Sequence, residues 1–200
     1  MEKISLFIYP ILGYFLGSIP SALWVTKLFK GIDVREGGSG HITTTNTIRQ
    51  AGWVAGFVVL ILDIGKGFLP TFWACRSGNP DWVVALTAAL VVVGHCWPVF
   101  ARFRGGMGLA ATGGCLLAVS LISFPIALGV LISLVLIIKH SARAAFFTGL
   151  LIAPVLFVFG QRGTIIWVSI ATGLVIAARF TIDWNRKYRE VWLDREGKTS

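Results

Sequence analysis

A polar segment with the sequence GGSGHITTTNTIR covers residues 37–49, between two apolar stretches of the chain. Its glycines allow close approach of the backbone, and Ser39, Thr45 and Asn46 supply neutral hydrogen-bonding groups. Arg49 adds one permanent cation. Backbone N–H groups and a guanidinium both bind oxyanions, so the segment suits a phosphate. Taken alone, it is more typical of a solvated turn that leads into a helix with a threonine N-cap.

A second polar segment, ARFRGGMG, covers residues 101–108. Arg104 is followed by three glycines and then by small residues that can begin a helix; the glycines are Gly105, Gly106 and Gly108. The N–H groups at the start of such a helix attract anions. Two such segments favour one shared phosphate site. It is not a Walker loop, because the G-x-x-x-x-G-K-[ST] spacing is missing.

Three titratable side chains interrupt apolar stretches of the chain. Asp63 and Lys66 lie three residues apart on one helix face, and we favour a structural ion pair over a functional site for them. His95 is more typical of a core histidine than of a catalytic base. The sequence contains no Ser-His-Asp order, H-x-x-x-x-D acyltransferase pattern or metal-ligand motif. An enzyme with these residues would therefore act by positioning its substrates and stabilising negative charge.

The polar segments stand in a strongly apolar chain. Of its 200 residues, 56% are hydrophobic and 14% are charged, and the mean hydropathy is +0.79. This composition predicts an all-α integral membrane protein. The net charge of +9 does not indicate a nucleic-acid partner, because Lys and Arg fall in short clusters between apolar stretches. The three cysteines are widely spaced and indicate neither a disulfide framework nor a metal site.

Five apolar stretches are long enough to cross about 30 Å of hydrocarbon as helices. They cover residues 4–28, 53–74, 82–100, 144–160 and 164–178. We interpret the first as a retained span rather than a signal peptide. A sixth stretch, residues 109–138, would be about 45 Å long as one straight helix. Pro125 offers a break near its middle.

Loop charge decides between one and two helices in residues 109–138, because cytoplasmic loops collect Lys and Arg. Two short helices give seven spans, with 14 basic residues on one side and 3 on the other. A single helix gives counts of 7 and 10, which carry no bias. We therefore predict one domain, residues 1–200, with seven transmembrane helices, the N-terminus outside and the C-terminus cytoplasmic. Both polar segments then face the cytoplasm.

Four segments within the first 110 residues carry a family resemblance: GYFLGSIPSALWVTKLFKGIDVREGGSGH, TNTIRQAG, LDIGKG and GHCWPVFARFRGGMG. Together they resemble the bacterial acyl-phosphate:glycerol-3-phosphate acyltransferases, the PlsY family. That family has seven transmembrane helices with the N-terminus outside, in agreement with the loop charges. The resemblance implies a multi-pass protein of the bacterial inner (plasma) membrane whose active site faces the cytoplasm.

The resemblance also implies a membrane acyltransferase of phospholipid biosynthesis. It would transfer a fatty acyl group from acyl phosphate to the 1-hydroxyl of glycerol 3-phosphate, yielding lysophosphatidic acid and inorganic phosphate. The implied partners are these two substrates and membrane lipid, and the protein would act as a monomer without a cofactor or metal. Phosphate is a good leaving group, so the protein has to position two phosphates and stabilise charge at the carbonyl.

Site residues follow from the resemblance position by position. Ser39, Thr45, Asn46 and Arg49 would be catalytic and would bind phosphate and the polar headgroup. The substrate phosphate would also be bound by Arg104, Gly105, Gly106, Gly108 and Ser141. An apolar groove between helices would hold the acyl chain.

The chain departs from the family pattern at several positions, among them His41 and Thr43, and three departures bear most directly on activity. Met107 stands where the family has a phosphate-binding lysine, and Phe180 and Asp183 stand where it has a catalytic histidine and asparagine. The lost cation would weaken phosphate binding by about 1.5 to 3 kcal/mol unless another group replaces it. Asp183 would repel a phosphate unless it is protonated or paired with Arg179 or Arg186.

Four residues are candidates to compensate for these departures. His41 or Asn185 would replace the missing polar groups, and Arg143 or Arg179 would replace the missing cation. Two other functions remain open from the sequence. A catalytically impaired relative would bind or sense a phospholipid or phosphate compound, or acylate a different acceptor. A transporter would show inverted repeats or matching interrupted spans in two halves, which this chain lacks.

Overall fold

The computed structural model describes residues 2–185 of the chain. Nine α-helices lie within this range, numbered α1 to α9: Glu2–Gly17, Ser21–Lys30, Thr44–Ala51, Trp53–Arg76, Asp81–Cys96, Leu109–Val119, Ser123–Ile138, Ser141–Val158 and Thr164–Ile182. Short 3-10 turns at Val34–Glu36 and Val99–Ala101 lie in two of the loops. The predicted all-α class is confirmed.

Several of these helices have the length and composition of membrane spans. Five segments of the described chain are long and apolar enough to cross a membrane: Leu6–Lys30, Trp53–Arg76, Asp81–Ala101, Ser141–Val158 and Thr164–Ile182. They coincide with the five long spans predicted from the sequence, apart from shifts at their ends. α6 and α7 are apolar but shorter, at 11 and 16 residues. The count of seven spans and the orientation of the termini stay predictions.

The first predicted span is divided into two helices, a division that was not predicted from the sequence. Residues 18–20, which include Pro20, separate α1 from α2. Proline has no N–H to donate, and it disfavours helical geometry at the residue before it, Ile19. The Ile19 carbonyl oxygen accepts hydrogen bonds from the Ser21 N–H at 3.0 Å and from Lys66 Nζ at 2.9 Å. The break is therefore stabilised by polar partners inside the bundle.

Residues 109–138 form two helices, as the loop charges predicted. The break lies at residues 120–122 rather than at Pro125, which occupies the first turn of α7. Proline is tolerated there because the first N–H groups of a helix have no partner within it. Ser123 Oγ donates to the Ser120 carbonyl oxygen at 2.6 Å and closes the turn between the two helices.

Glycines let the helix backbones approach closely at the main crossings. A Cβ at Gly17 would clash with the backbone of α5, and a Cβ at Gly67 would clash with the backbone of α6. Gly149 and Gly173 face each other where α8 meets α9. Helices in a membrane gain little from burying apolar surface that would otherwise contact lipid, so close packing of small residues holds the bundle together.

The two polar segments and the last turn of α9 meet at one end of the bundle. The Ile42 N–H donates to the Gly105 carbonyl oxygen at 3.4 Å, which joins the two segments directly. Arg179, in the last turn of α9, donates from Nε to the Gly106 carbonyl oxygen at 3.2 Å. Three regions that are far apart in the sequence therefore form one polar surface.

Candidate active site

The first polar segment folds into a loop, residues 37–43, which we call the Ser39 loop, and then into α3. Thr43 is the N-cap of α3, and its Oγ1 accepts the Asn46 N–H at 3.2 Å. The threonine N-cap that the sequence suggested is therefore present. It is compatible with a phosphate site, because the cap uses only the last residue of the loop.

Asn46 shapes the Ser39 loop from within. It is fully buried, and its Nδ2 lies 2.9 to 3.2 Å from the carbonyl oxygens of Val34, Gly37 and His41. Its Oδ1 accepts the Ser39 N–H at 3.1 Å. The side chain is thus committed to the loop backbone in this conformation. Direct contact of Asn46 with substrate stays a prediction.

Two faces of α3 have different surroundings. Gln50 donates from Nε2 to the carbonyl oxygens of Val34 and Gly37, at 2.8 and 3.0 Å, and so joins Asn46 in holding the loop. We did not identify Gln50 from the sequence, although its spacing of four residues from Asn46 places both on one helix face. Thr45 is exposed and Arg49 is half-buried, and the same spacing places them together on another face.

The second polar segment forms a glycine loop, residues 102–108. A Cβ on Gly105 would clash with the His95 carbonyl oxygen, and one on Gly106 would clash with the His95 ring. The Gly106 N–H donates to the His95 carbonyl oxygen at 3.0 Å, so it is engaged within the protein. Gly108, with φ of +84°, is the N-cap of α6, and Arg104 is exposed.

A group of ionisable side chains, the loop cluster, joins α9 to the Ser39 loop. Its members within residues 2–185 are His41, Arg179 and Asp183. Asp183 Oδ2 lies 2.9 Å from Arg179 Nη1 and 3.4 Å from His41 Nε2. Of the two predicted partners for Asp183, Arg179 is therefore present, whereas Arg186 lies outside the described residues.

Phe180 and Met107, which also depart from the family pattern, pack against apolar side chains. Phe180 is 3% exposed and belongs to the main hydrophobic core, together with Leu156 and Ile176. Met107 is partly buried and packs against the same core. The two side chains therefore add apolar packing at positions where the family pattern has polar groups.

The start of α8 contacts the residues after α9. Arg143 Cζ lies 5.4 Å from the centre of the Trp184 ring, and its Nη2 is 3.4 Å from Asn185 Oδ1. Ser141 is exposed at the first position of α8. His140, which we did not identify from the sequence, caps this helix by accepting the Arg143 N–H. Of the four predicted compensating residues, Arg143 contacts Asn185, whereas His41 and Arg179 each contact Asp183.

A second group of ionisable side chains, the span cluster, lies within the apolar helices. It consists of Asp63, Lys66 and His95. Asp63 Oδ1 lies 2.9 Å from Lys66 Nζ and 3.8 Å from His95 Nδ1. The structural ion pair predicted for Asp63 and Lys66 is confirmed. His95 is 6% exposed, and it contacts the glycine loop through both its ring and its carbonyl oxygen.

One further ion pair borders the Ser39 loop. Arg35 Nη2 lies 2.6 Å from Asp33 Oδ2, and Asp33 caps the 3-10 turn Val34–Glu36. The hydrogen bond from Arg35 lowers the pKa of the Asp33 carboxyl below its ordinary value of 3.8. Asp33 is therefore charged at neutral pH and holds the chain that enters the Ser39 loop.

Comparison with known proteins agrees with this architecture. A family described as glycerol-3-phosphate acyltransferase matches residues 7–189. A glycerol-3-phosphate acyltransferase of Listeria welshimeri is 34% identical over 177 residues, which are 86% of this chain and 88% of the relative. A relative of the same name from Thermotoga petrophila is 49% identical over 114 residues. That match covers 56% of this chain and 58% of the relative, so the chain spans little more than half of the first curated relatives that it matches.

Solved structures give the same result. The crystal structure of PlsY (YgiH), an integral membrane glycerol 3-phosphate acyltransferase, in its glycerol 3-phosphate form, superposes with a TM-score of 0.79. The two proteins are 34% identical, and the match covers 91% of each chain. Its lysophosphatidic acid form has the same TM-score at 33% identity. The fold thus defines an all-helical protein with five segments that are long and apolar enough to span a membrane, like the integral membrane protein on which it superposes. The chain belongs to the glycerol-3-phosphate acyltransferase family.

Proposed function

We propose that this protein transfers a fatty acyl group from acyl phosphate to the 1-hydroxyl of glycerol 3-phosphate. The hydroxyl oxygen attacks the acyl carbonyl, the bond from the carbonyl carbon to the phosphate oxygen breaks, and the hydroxyl proton leaves with inorganic phosphate. The product is lysophosphatidic acid. Such a reaction needs alignment of two anionic substrates and stabilisation of the negative carbonyl oxygen, rather than a strong nucleophile in the protein.

The observation that carries the proposal is the meeting of the Ser39 loop, the glycine loop and the end of α9. Ile42 contacts Gly105, and Arg179 contacts Gly106, so both predicted phosphate-binding segments lie on one surface. Each segment also carries a cation that is not fully buried, Arg49 in the first and Arg104 in the second. Two phosphates can be held there at the same time.

We assign roles to the predicted site residues on this basis. Ser39, Thr45 and Arg49 bind phosphate and headgroup, and Asn46 acts by fixing the Ser39 loop around them. Arg104 and the N-terminus of α6 bind the second phosphate, and Ser141 and Arg143 contribute to its binding. Arg143 is the better substitute for the missing lysine at Met107, because the charge of Arg179 is already matched by Asp183.

The topology is part of the proposal. We infer seven spans, with α6 and α7 as two short crossings, the N-terminus outside and the site facing the cytoplasm of a bacterial inner membrane. The distribution of Lys and Arg supports this orientation. Reporter domains fused to the C-terminus and to the connections around Arg76 and Arg162 test it. A cytoplasmic signal from the C-terminus and the opposite signal from the two connections are expected; the reverse pattern would contradict the topology.

Product formation tests the activity. Purified protein in lipid is given palmitoyl phosphate and radiolabelled glycerol 3-phosphate, and labelled lysophosphatidic acid is followed. Arg49→Ala should lower kcat/KM about 10- to 100-fold, the value of a charged hydrogen bond. Arg162→Ala is the matched control, because Arg162 bonds to the carbonyl oxygens of Phe157 and Gln161, in the connection from α8 to α9.

The outcome also separates the alternatives. Product that requires Arg49 but not Arg162 supports the acyltransferase. No product from folded protein that still binds glycerol 3-phosphate would contradict the activity and favour a binding protein. If product forms only with a different acceptor, the protein is an acyltransferase, but glycerol 3-phosphate is not its substrate.

A further inference from the structure

One carboxylate oxygen contacts two separate parts of the polar surface. Asp183 follows the last turn of α9 and is 6% exposed. Its Oδ2 lies 2.9 Å from Arg179 Nη1 on α9 and 3.4 Å from His41 Nε2 in the Ser39 loop. Asp183 therefore ties the Ser39 loop to a helix that is more than a hundred positions away in the sequence.

Arg179 extends this connection to the glycine loop. Its Nε donates to the Gly106 carbonyl oxygen at 3.2 Å while its Nη1 bonds to Asp183. The guanidinium group is planar, so these two bonds have fixed relative directions, and Arg179 is only 7% exposed. A continuous series of contacts thus runs from His41 through Asp183 and Arg179 to Gly106.

The direct link between the two loops is one long hydrogen bond. The Ile42 N–H lies 3.4 Å from the Gly105 carbonyl oxygen, beyond the usual range for N–H···O. The His41 contact with Asp183 has the same length, but the series also contains the 2.9 Å pair of Arg179 with Asp183, and removing one partner of such a buried pair leaves the other uncompensated. We propose that Asp183 is a positioning residue that fixes the Ser39 loop and the glycine loop relative to each other, through His41 and Arg179.

Asp183 is not suited to hold substrate itself. A buried carboxylate repels phosphate, and Oδ2 of Asp183 already faces an arginine and a histidine. The loop contacts stand independently of the activity, whereas their kinetic consequence rests on the proposed function. Asp183 thus acts on substrate only through the loops that it aligns.

Hydrogen exchange on the intact protein in lipid tests the coupling of the loops. In Asp183→Asn, amide exchange should become roughly three- to tenfold faster in the Ser39 loop and in the glycine loop together. In His41→Asn, it should become faster in the Ser39 loop only. The matched control is Asp81→Asn. The Asp81 carboxylate also accepts a hydrogen bond from a distant residue, Thr164, but it lies at the start of α5, away from the two loops. Amide exchange in both loops should be unchanged in this control.

Two patterns of exchange would overturn the proposal. One is unchanged exchange in the glycine loop of Asp183→Asn. The other is faster exchange throughout α5 and α8 as well, because that result would assign Asp183 to general stability. If Asp183→Asn does not fold, His41→Asn decides, since His41 lies in a loop: unchanged exchange in the Ser39 loop would then refute the coupling.

Kinetics supply a second, separate test. Each single variant should lower kcat/KM for glycerol 3-phosphate about tenfold, and the double variant His41→Asn with Asp183→Asn should lose little more than either one. Multiplicative losses, about a hundredfold in the double variant, would show that the two residues act independently and would contradict the proposal. If the unaltered protein forms no product, the proposed function fails, while the exchange pattern still decides the role of Asp183.

Discussion

The span cluster and the loop cluster contain similar side chains in different surroundings. Among the described residues, each has one aspartate, one histidine and one basic side chain, Lys66 or Arg179, with a nitrogen to oxygen distance of 2.9 Å in the main ion pair. The span cluster joins α4 and α5 to the break between α1 and α2, whereas the loop cluster joins two loops to the end of α9. The same chemistry therefore holds helices together in one place and aligns loops in the other.

One glycine lies between the two clusters. Gly106 donates its N–H to the His95 carbonyl oxygen, and its own carbonyl oxygen accepts a bond from Arg179. The peptide groups on either side of this residue are thus each fixed by a different cluster. The position of the glycine loop therefore depends on both the helical frame and the end of α9.

The largest effect should come from breaking the span cluster. Asp63→Asn leaves the buried cation of Lys66 without its counter-charge, and loss of one partner of a buried pair costs about 3 to 5 kcal/mol. Thermal unfolding in detergent should show a large drop in the midpoint and a lower yield of folded protein. The double variant Asp63→Asn with Lys66→Met should recover part of this loss. Equal stability of Asp63→Asn and the unaltered protein would refute the role given to this pair.

A methyl group at the shared glycine should have a smaller effect on stability and a clear one on activity. In Gly106→Ala the Cβ would clash with the His95 ring and the Ile42 carbonyl oxygen, so the loop must shift, at a cost of about 1 to 3 kcal/mol. Initial rates of lysophosphatidic acid formation and unfolding midpoints measure the two effects. Gly65→Ala is the matched control, because beyond its chain neighbours and its own helix backbone no atom lies within 4 Å of the added Cβ. Similar results for both variants would contradict the close packing at Gly106.

The smallest effect should come from the ion pair that borders the Ser39 loop. Asp33→Asn removes a partly solvated pair with Arg35, which contributes about 0.2 to 1 kcal/mol. The pKa of Asp33 is lowered in the folded protein, so the contribution is present above the ordinary value of 3.8 and is lost as the pH falls through the lowered pKa. Unfolding midpoints of the two proteins should therefore differ at pH 7 and converge below pH 3.8. A constant difference at all pH values would refute this assignment.

Features that depend on neighbouring residues were predictable from the sequence. The spacing of Asp63 and Lys66 predicted their ion pair, and the spacing of Arg179 and Asp183 allowed theirs. The division of residues 109–138 into two helices followed from loop charge. The position of the break between these two helices could not be predicted, because a proline can begin a helix as well as end one.

Features that depend on tertiary contacts were not predictable from the sequence. The contact of His41 with Asp183 brings a short loop against the end of the last helix, and no periodic pattern connects them. An asparagine such as Asn46 can bind phosphate. In the structure, however, it is buried under the loop, and both its amide oxygen and its amide nitrogen bond to the backbone. The break between α1 and α2 was missed because Pro10 lies inside α1 without ending it, so a proline alone did not mark the position.

The shortness of α6 bears on how the protein is made. A helix of 11 residues is about 17 Å long, little more than half of the hydrocarbon thickness of a bilayer. Its Gly114 lies against the backbone of α4 at Ile64, and Gly67 of α4 lies against the backbone of α6. We therefore expect α6 to enter the membrane beside α4 during synthesis rather than on its own. A larger residue at either glycine would act first on the yield of inserted protein, before any step of catalysis.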